Sequence, residues 1–195
     1  MTTDKRVIEE ATLENLRRTI LSMFAENPFN DVGIRQICQE ARVSPQTIYK
    51  YFGSKEMMLF ACIRSDMEKL NNAALTAARK FSKPAEQIEA MLQAWCRFYG
   101  KNPVVARIVF LNIPVSYWIS EQDSVQMQVW SAIRSAIENG QKAKKINRDL
   151  PADVLLDMLM GSLHRIMARW LTEGKGSFSK TSQQAVGASM HLLAS

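Results

Sequence analysis

Apolar residues recur at intervals of three and four along almost the whole chain, and no segment alternates polar and apolar residues as a half-buried strand does. With 47% hydrophobic and 23% charged residues, the chain has enough apolar material to bury such helix faces in a core. We therefore predict an all-α protein of about nine helices. The stripe of the first helix illustrates the pattern with Leu13, Leu16, Ile20, Met23 and Phe24.

Two serines are predicted to start helices in the first part of the chain. Ser44 is followed by Pro45, and a capping serine before a proline is a strong signal for the start of a helix. This third helix is short because Gly53 interrupts the pattern, and Ser54 then caps a long fourth helix. The first three helices are too short to bury much surface by themselves.

The chain is therefore predicted to divide near the start of the fourth helix. Residues 1–54 would form the N-terminal domain of three helices, and residues 55–195 a larger helical body. In the body, Gly100 and Gly140 are predicted to end two helices, the second through a left-handed conformation. Ser179 is predicted to cap the last helix.

The second and third helices are separated only by a tight connection at Arg42-Val43. Two short helices joined in this way form a helix-turn-helix, whose second helix enters a DNA major groove. At about 100° per residue, Ile48 and Phe52 define the inward face of the third helix. Outward Gln and Lys can bind base edges, while Thr and Tyr hydroxyls can bind phosphates. The outward set is Gln46, Thr47, Tyr49, Lys50 and Tyr51.

The run of residues 34–56 resembles the DNA-binding signature of TetR-type (TetR/AcrR) transcriptional regulators. Its core, V-S-x-x-T-I-Y-x-Y-F-x-S-K-E, spans fourteen contiguous positions and matches at the ten that it specifies. The resemblance implies a homodimeric regulator, usually a repressor, that binds a palindromic double-stranded operator. It implies a C-terminal body that dimerises and often binds a small-molecule effector, which releases the DNA. It also implies base-facing Pro45, Gln46, Thr47 and Lys50, phosphate contacts from Tyr49, Tyr51 and Lys55, and a phosphate or base contact from Arg35.

Three departures from the family pattern affect the helix-turn-helix. Gly33 stands where such proteins usually have a capping Ser or Thr, which weakens the start of the second helix. Arg42 stands where the turn usually has Gly. If φ is positive there, the residue is strained by about 1 kcal/mol; otherwise the turn is reshaped. Pro45-Gln46 replaces a commoner x-Gly pair, which should alter operator preference.

Net charge does not locate the nucleic acid. The chain carries a formal charge of +6, but its first 60 residues contain eight cationic and eight acidic side chains. A basic run at residues 142–148 follows a predicted helix end, where cations are favourable, and we interpret it as a solvated loop.

Several other classes of protein are excluded or disfavoured. Three widely spaced cysteines, Cys38, Cys62 and Cys96, indicate reduced, buried thiols in a cytoplasmic protein. Only two histidines, His164 and His191, are present, and neither lies in a ligand-spaced cluster, so we predict no metal. No catalytic motif, cofactor-binding loop or membrane-spanning apolar run was found. We expect neither an enzyme nor a membrane partner.

Aromatic and Met residues of the body either fill its core or line a cavity. We predict that they bind an apolar or aromatic effector, although Arg97, Arg107 and Arg165 on the same helices leave an acidic one possible. Regulation by a protein partner, or no ligand regulation at all, is the alternative. The predicted effector walls are Trp95, Phe110, Trp118 and Met158.

Dimerisation is predicted through the last two helices, over residues 151–173 and 180–194. Small side chains on both helices permit close approach, and two such helices from each subunit would form a four-helix interface. The fourth helix, which starts beside the third, would connect the effector site to the DNA-binding domain. The small residues are Gly161, Ser162, Ala168, Ala185, Gly187, Ala188 and Ser189.

Overall fold

The computed structural model describes residues 10–114, 127–174 and 177–194, and every regular element in these ranges is helical. The predicted all-α architecture of about nine helices is confirmed. One turn of 3-10 helix, Phe29–Asp31, follows the first α-helix, and one turn of π-helix, Ile108–Asn112, directly follows the sixth. The α-helices are α1 (Glu10–Glu26), α2 (Ile34–Ala41), α3 (Pro45–Phe52), α4 (Lys55–Ala78), α5 (Pro84–Lys101), α6 (Pro103–Arg107), α7 (Met127–Lys142), α8 (Ala152–Glu173) and α9 (Phe178–Leu192).

The predicted serine caps of α3 and α4 are confirmed. The Oγ of Ser44 accepts a hydrogen bond from the backbone N–H of Thr47 at 3.1 Å. The Oγ of Ser54 accepts one from Met57 at 3.2 Å. Each bond pairs a backbone donor that the first turn of a helix leaves without an intrahelical acceptor, which is why both helices begin where the sequence indicates.

The predicted end of α5 at Gly100 lies one residue before the observed end, whereas the predicted left-handed helix end at Gly140 is wrong. α5 continues to Lys101 and α7 to Lys142. A Cβ on Gly100 would lie 2.6 Å from Cδ1 of Phe178, and one on Gly140 would overlap the Ile146 side chain. Both glycines therefore allow another segment to approach a helix closely, instead of ending the helix.

Two local features of the body also differ from the sequence-based expectation. The left-handed residue after α7 is Lys144, with φ 56°. The cap of α9 is Ser177 and not Ser179, since its Oγ accepts from the backbone N–H of Lys180 at 3.5 Å. α9 accordingly begins at Phe178, early enough for this ring to pack on Trp170 at the end of α8, with ring centroids 4.5 Å apart.

A continuous hydrophobic core runs from α1 to α9 through the described residues. α5 lies within the body and packs against α4, α7 and α9. Polar bonds join α1 to α4: Arg17 Nη2 lies 2.8 Å from Asp66 Oδ2, and Arg17 Nε donates to the carbonyl oxygen of Cys62 at 3.0 Å. α4 thus contacts both the N-terminal helices and the body. Within the described ranges, no helix combines the length and apolarity that a membrane span requires.

Candidate nucleic-acid interface and effector site

The connection between α2 and α3 places Arg42 in the left-handed region, with φ 57° and ψ 44°. This is the first of the two alternatives stated for that position, so the residue carries the strain of a positive φ without being glycine. The backbone N–H groups of Arg42 and Val43 both donate to the carbonyl oxygen of Cys38, which closes the end of α2. At the start of α2, Gln36 Oε1 accepts from the N–H of Gly33 at 2.8 Å.

The inward face of α3 is held by Ile48, whose side chain is 1% exposed, and by the half-buried Phe52. Burial of this face directs the opposite face to solvent, because side chains on a helix repeat every 3.6 residues. The tyrosines Tyr49 and Tyr51 are 54% and 49% exposed. The other exposed side chains predicted to contact DNA are Pro45, Gln46, Lys50 and, on α2, Arg35.

Thr47 differs from its neighbours because its hydroxyl takes part in the cap of α3. Its Oγ1 lies 2.8 Å from the Oγ of Ser44, and the residue is half-buried. The hydroxyl is therefore oriented toward the start of the helix, and its methyl group is the part of the side chain least engaged there.

Lys55, at the first position of α4, packs its ammonium group on aromatic rings. Nζ lies 4.4 Å from the ring centroid of Phe29 and 6.0 Å from that of Phe24. Burial lowers the pKa of Lys55, and the nearby carboxylates of Glu56 and Asp31 act in the opposite direction. The cation–π contact holds the side chain near the start of α4, next to the end of α3.

In the body, four rings from three elements form an aromatic cluster: Trp95 and Tyr99 of α5, Phe110 of the π-helical turn and His164 of α8. The ring centroids of Trp95 and Phe110 are 5.2 Å apart, and Phe110 lies 4.7 Å from Tyr99 and 5.0 Å from His164. Two predicted effector residues, Trp95 and Phe110, are thus brought together. Both are buried, at 3% and 7% exposure.

The other two predicted effector residues do not join this aromatic cluster in the described structure. Trp118 lies outside the described residues. Met158 is 41% exposed on the outer face of α8. That helix buries Leu155, Leu159 and Leu163, and Met158 lies about 100° away from Leu159, on the side facing solvent.

The aromatic cluster contains polar atoms but no cationic group. The buried indole N–H of Trp95 has no hydrogen-bond partner among the described residues. Burial lowers the pKa of His164, which favours the neutral ring, and the neighbouring backbone of Phe110 acts in the opposite direction. Tyr99 is fully buried, and its hydroxyl donates to Sδ of Met67 at 3.7 Å.

The three arginines that left an acidic effector possible are placed elsewhere. Arg97 and Arg165 are exposed, and Arg97 lies about 200° around α5 from Trp95, beside a surface groove at the end of α4. Arg107 is half-buried but donates to backbone carbonyls of Ala25 and Leu171. The described residues contain no group of three or more potential metal ligands.

Comparison with known proteins places the chain among bacterial regulators. The model of the family "Bacterial regulatory proteins, tetR family" matches residues 16–62, which span most of α1 through the first third of α4. The HTH-type transcriptional regulator UidR of Escherichia coli K12 is 26% identical over 176 residues, covering 85% of this chain and 86% of UidR. The regulator BetI of Rhizobium meliloti is 32% identical over 108 residues, covering 46% of this chain and 53% of BetI.

Solved structures show the same fold at low sequence identity. A putative TetR-family regulator from Shewanella sp. PV-4 superposes with a TM-score of 0.76 at 16% identity, covering 94% of this chain and 98% of that one. FadR from Bacillus subtilis, solved in complex with stearoyl-CoA, gives 0.75 at 14% identity, covering 93% and 99%. The helix-turn-helix signature, the all-helical architecture and these relatives agree: residues 16–62 match the TetR family of regulatory proteins, and the chain has the fold of TetR-family transcriptional regulators.

Proposed function

We propose that this protein is a repressor that binds a palindromic DNA operator as a homodimer and is released by a small effector. In this proposal, residues 1–54 form the DNA-binding domain, and residues 55–195 bind the effector and dimerise. The observation that carries the proposal is α3 itself. Its apolar side is buried at Ile48, while its Gln, Lys and Tyr side chains face solvent at the end of a helix-turn-helix.

Within this interface, side chains divide by the information they can supply. Gln46 and Lys50, with Pro45 and the Thr47 methyl group beside them, would lie against base edges. Amide and ammonium groups discriminate bases by hydrogen bonding, and a methyl group contacts thymine. Tyr49, Tyr51, Lys55 and Arg35 would bind phosphates, which set affinity and register.

The DNA-binding proposal is tested by selecting duplexes from a random library and measuring affinity for the selected palindrome. Tyr49→Ala should weaken binding to all duplexes about equally. Gln46→Ala and Lys50→Ala should change the preferred sequence, with about 1–3 kcal/mol lost per base contact. Gln128→Ala, an exposed glutamine on α7, serves as the control and should change neither property. Unaltered affinity of Tyr49→Ala at moderate salt would contradict the proposed docking orientation.

The homodimer would form through the outer faces of α8 and α9. Val154 and Met158 are each 41% exposed and share a face of α8 with Gly161, at intervals of four and three residues. A Cβ at Gly161 or Gly187 would meet nothing within 4 Å, so a second chain can approach both helices closely. In this proposal, the exposed Met158 belongs to the interface.

Sedimentation tests the dimer. Ala188 is exposed on α9, and Ala188→Arg should yield monomers that bind the selected palindrome poorly, because a long charged side chain would be buried without a partner. A dimer that persists in this variant would place the interface elsewhere.

The effector is proposed to bind at the aromatic cluster of Trp95, Tyr99, Phe110 and His164 and to be uncharged. No arginine or lysine of the described chain contributes a cation there, while the Trp95 indole supplies one unpaired donor. A neutral, mostly aromatic compound with a single hydrogen-bond acceptor matches this chemistry. The stearoyl-CoA complex of the Bacillus subtilis neighbour supports a small molecule as the class of effector.

Calorimetric titration with matched sets of compounds tests the effector chemistry. Each set shares one aromatic skeleton and carries a methyl, a methyl ester or a carboxylate group. The ester should bind best and release DNA. Trp95→Phe keeps the ring but removes the donor, and should weaken ester binding by about fivefold while leaving the hydrocarbon unchanged. If no set binds or releases DNA, regulation by a protein partner, or none by ligand, becomes the better proposal.

A further inference from the structure

One arginine caps the C-terminal ends of two helices that are distant in sequence. Nε of Arg107 donates to the carbonyl oxygen of Ala25 at 3.0 Å, and Nη1 donates to that of Leu171 at 3.4 Å. These carbonyls lie in the last turns of α1 and α8, where backbone acceptors lack intrahelical partners and a cation is favourable. Neither last turn contains a basic residue of its own.

A second side chain from the same segment reaches the same end of α1. Nδ2 of Asn112 donates to the carbonyl oxygens of Phe24 at 2.8 Å and Ala25 at 3.1 Å. Together with Arg107, it pairs the two carbonyls that precede the final residue of α1. The DNA-binding domain is thereby joined to the body by directional hydrogen bonds in addition to its apolar packing.

The π-helical turn places these two side chains on either side of Phe110. The backbone N–H of Ile113 donates to the carbonyl oxygen of Ile108 at 3.0 Å, which is the i to i+5 spacing of a π turn. Arg107 and Asn112 therefore bond to α1 while the ring of Phe110, between them in sequence, packs in the aromatic cluster.

We propose that Arg107 and Asn112 are positioning residues for DNA binding. They hold α1, and with it the helix-turn-helix, in one orientation relative to α8. The consequence for DNA rests on the proposed function, in which α8 lies at the dimer interface. The two α3 helices must then lie about 34 Å apart, one turn of DNA, so their spacing depends on this orientation. A ligand that displaces Phe110 would act on both residues through one short turn.

The orientation can be measured without DNA or effector. Spin labels at Gln39→Cys on α2 and Lys101→Cys on α5 report the distance between domain and body, and both positions are exposed. The three native cysteines are buried, and burial raises the pKa of Cys62 and of Cys96 to about 12, so they should resist labelling. Dilution with unlabelled protein restricts the measurement to pairs within one chain.

The expected result is a single narrow distance distribution for the otherwise unaltered protein and a broadened or shifted one for Arg107→Gln and Asn112→Ala. Arg97→Gln, an exposed arginine on α5, is the matched control and should leave the distribution unchanged. Far-ultraviolet circular dichroism should show the same helix content in all variants. Identical distributions in Arg107→Gln, Asn112→Ala and the control would overturn the proposal.

DNA binding supplies the readout that a merely structural role would not produce. The selected palindrome is compared with the same duplex carrying one scrambled half-site. Loss of positioning should weaken binding of Arg107→Gln to the palindrome by about tenfold or more, and to the duplex with one half-site by less than about twofold. Only the palindrome requires the DNA-binding domains of both subunits to bind at the same time. Equal losses on both duplexes would overturn positioning. Failure to select any duplex would count against the proposed function, while the distance measurement would still decide the positioning.

Discussion

The proposed phosphate contact of Lys55 predicts a change in the salt dependence of DNA binding. Lys55→Gln removes one cation per subunit, and hence two from a dimer on its operator. Each phosphate contact contributes about −0.9 to the slope of log affinity against log salt, so the variant's slope should be shallower by about 1.8. Between about 50 and 200 mM salt, this difference reduces the affinity advantage of the unaltered protein by about twelvefold.

The structure also assigns Lys55 a salt-independent role that must be separated from DNA contact. Its Nζ lies 4.4 Å from the centre of the Phe29 ring, and loss of this cation–π contact should lower the free energy of unfolding by about 0.5–1 kcal/mol. Denaturant unfolding measures that loss directly. A loss of stability would shift the plot of log affinity against log salt up or down without changing its slope. Loss of a phosphate contact would change the slope itself.

Fluorescence anisotropy with a labelled palindrome, recorded across the salt range, provides the slope. Lys101→Gln makes the same charge change at an exposed position on α5, away from the proposed DNA and dimer interfaces, and should give the same slope as the unaltered protein. If the slope for Lys55→Gln also equals that of the unaltered protein, Lys55 only stabilises the fold and does not contact a phosphate.

Three further predictions concern the fold. Arg42→Gly should raise the free energy of unfolding, measured in urea titrations, by up to about 1 kcal/mol. Glycine relieves the strain of the positive φ of 57°, and this gain exceeds the cost of the greater conformational entropy that glycine gives the unfolded chain. A decrease in the free energy of unfolding would contradict the strain. Gly140→Ala should lower it by about 1–3 kcal/mol through overlap with Ile146, opposite in sign to the usual effect within a helix, and a gain would refute the overlap. Burial lowers the pKa of His164 below its unfolded value of about 6.5, so its stabilising contribution is complete above that pH and declines as the pH falls through the folded pKa. His164→Gln should consequently lose less stability than the unaltered protein between about pH 7.5 and 5 in unfolding titrations, and equal losses would assign the pH dependence to other groups.

Local sequence was sufficient to predict the helix-turn-helix. The start of α3 follows from Ser44 and Pro45, whose capping bond and fixed φ act within four residues. The inward direction of Ile48 follows from helical periodicity. These properties depend on neighbours in sequence, so one sequence contains the information needed to predict them.

Contacts between distant segments could not be predicted in the same way. Gly100 and Gly140 have the local appearance of helix ends, but each is determined by a ring or aliphatic side chain that packs onto it. The outward position of Met158 depends on which face of α8 meets the body. The helical pattern alone does not determine which segment packs against such residues or whether they face solvent.

Arg107 shows most clearly the difference between what the sequence determines and what tertiary structure decides. Its sequence position on a short helix was compatible with binding an acidic effector. The folded chain instead brings its guanidinium to carbonyl groups 82 and 64 residues away, at the ends of α1 and α8. The sequence alone determined that the last turns of those helices lack a cation of their own. Which residue would supply that cation was decided only by tertiary structure, because the packing of α6 between the two helix ends places one side chain within reach of both.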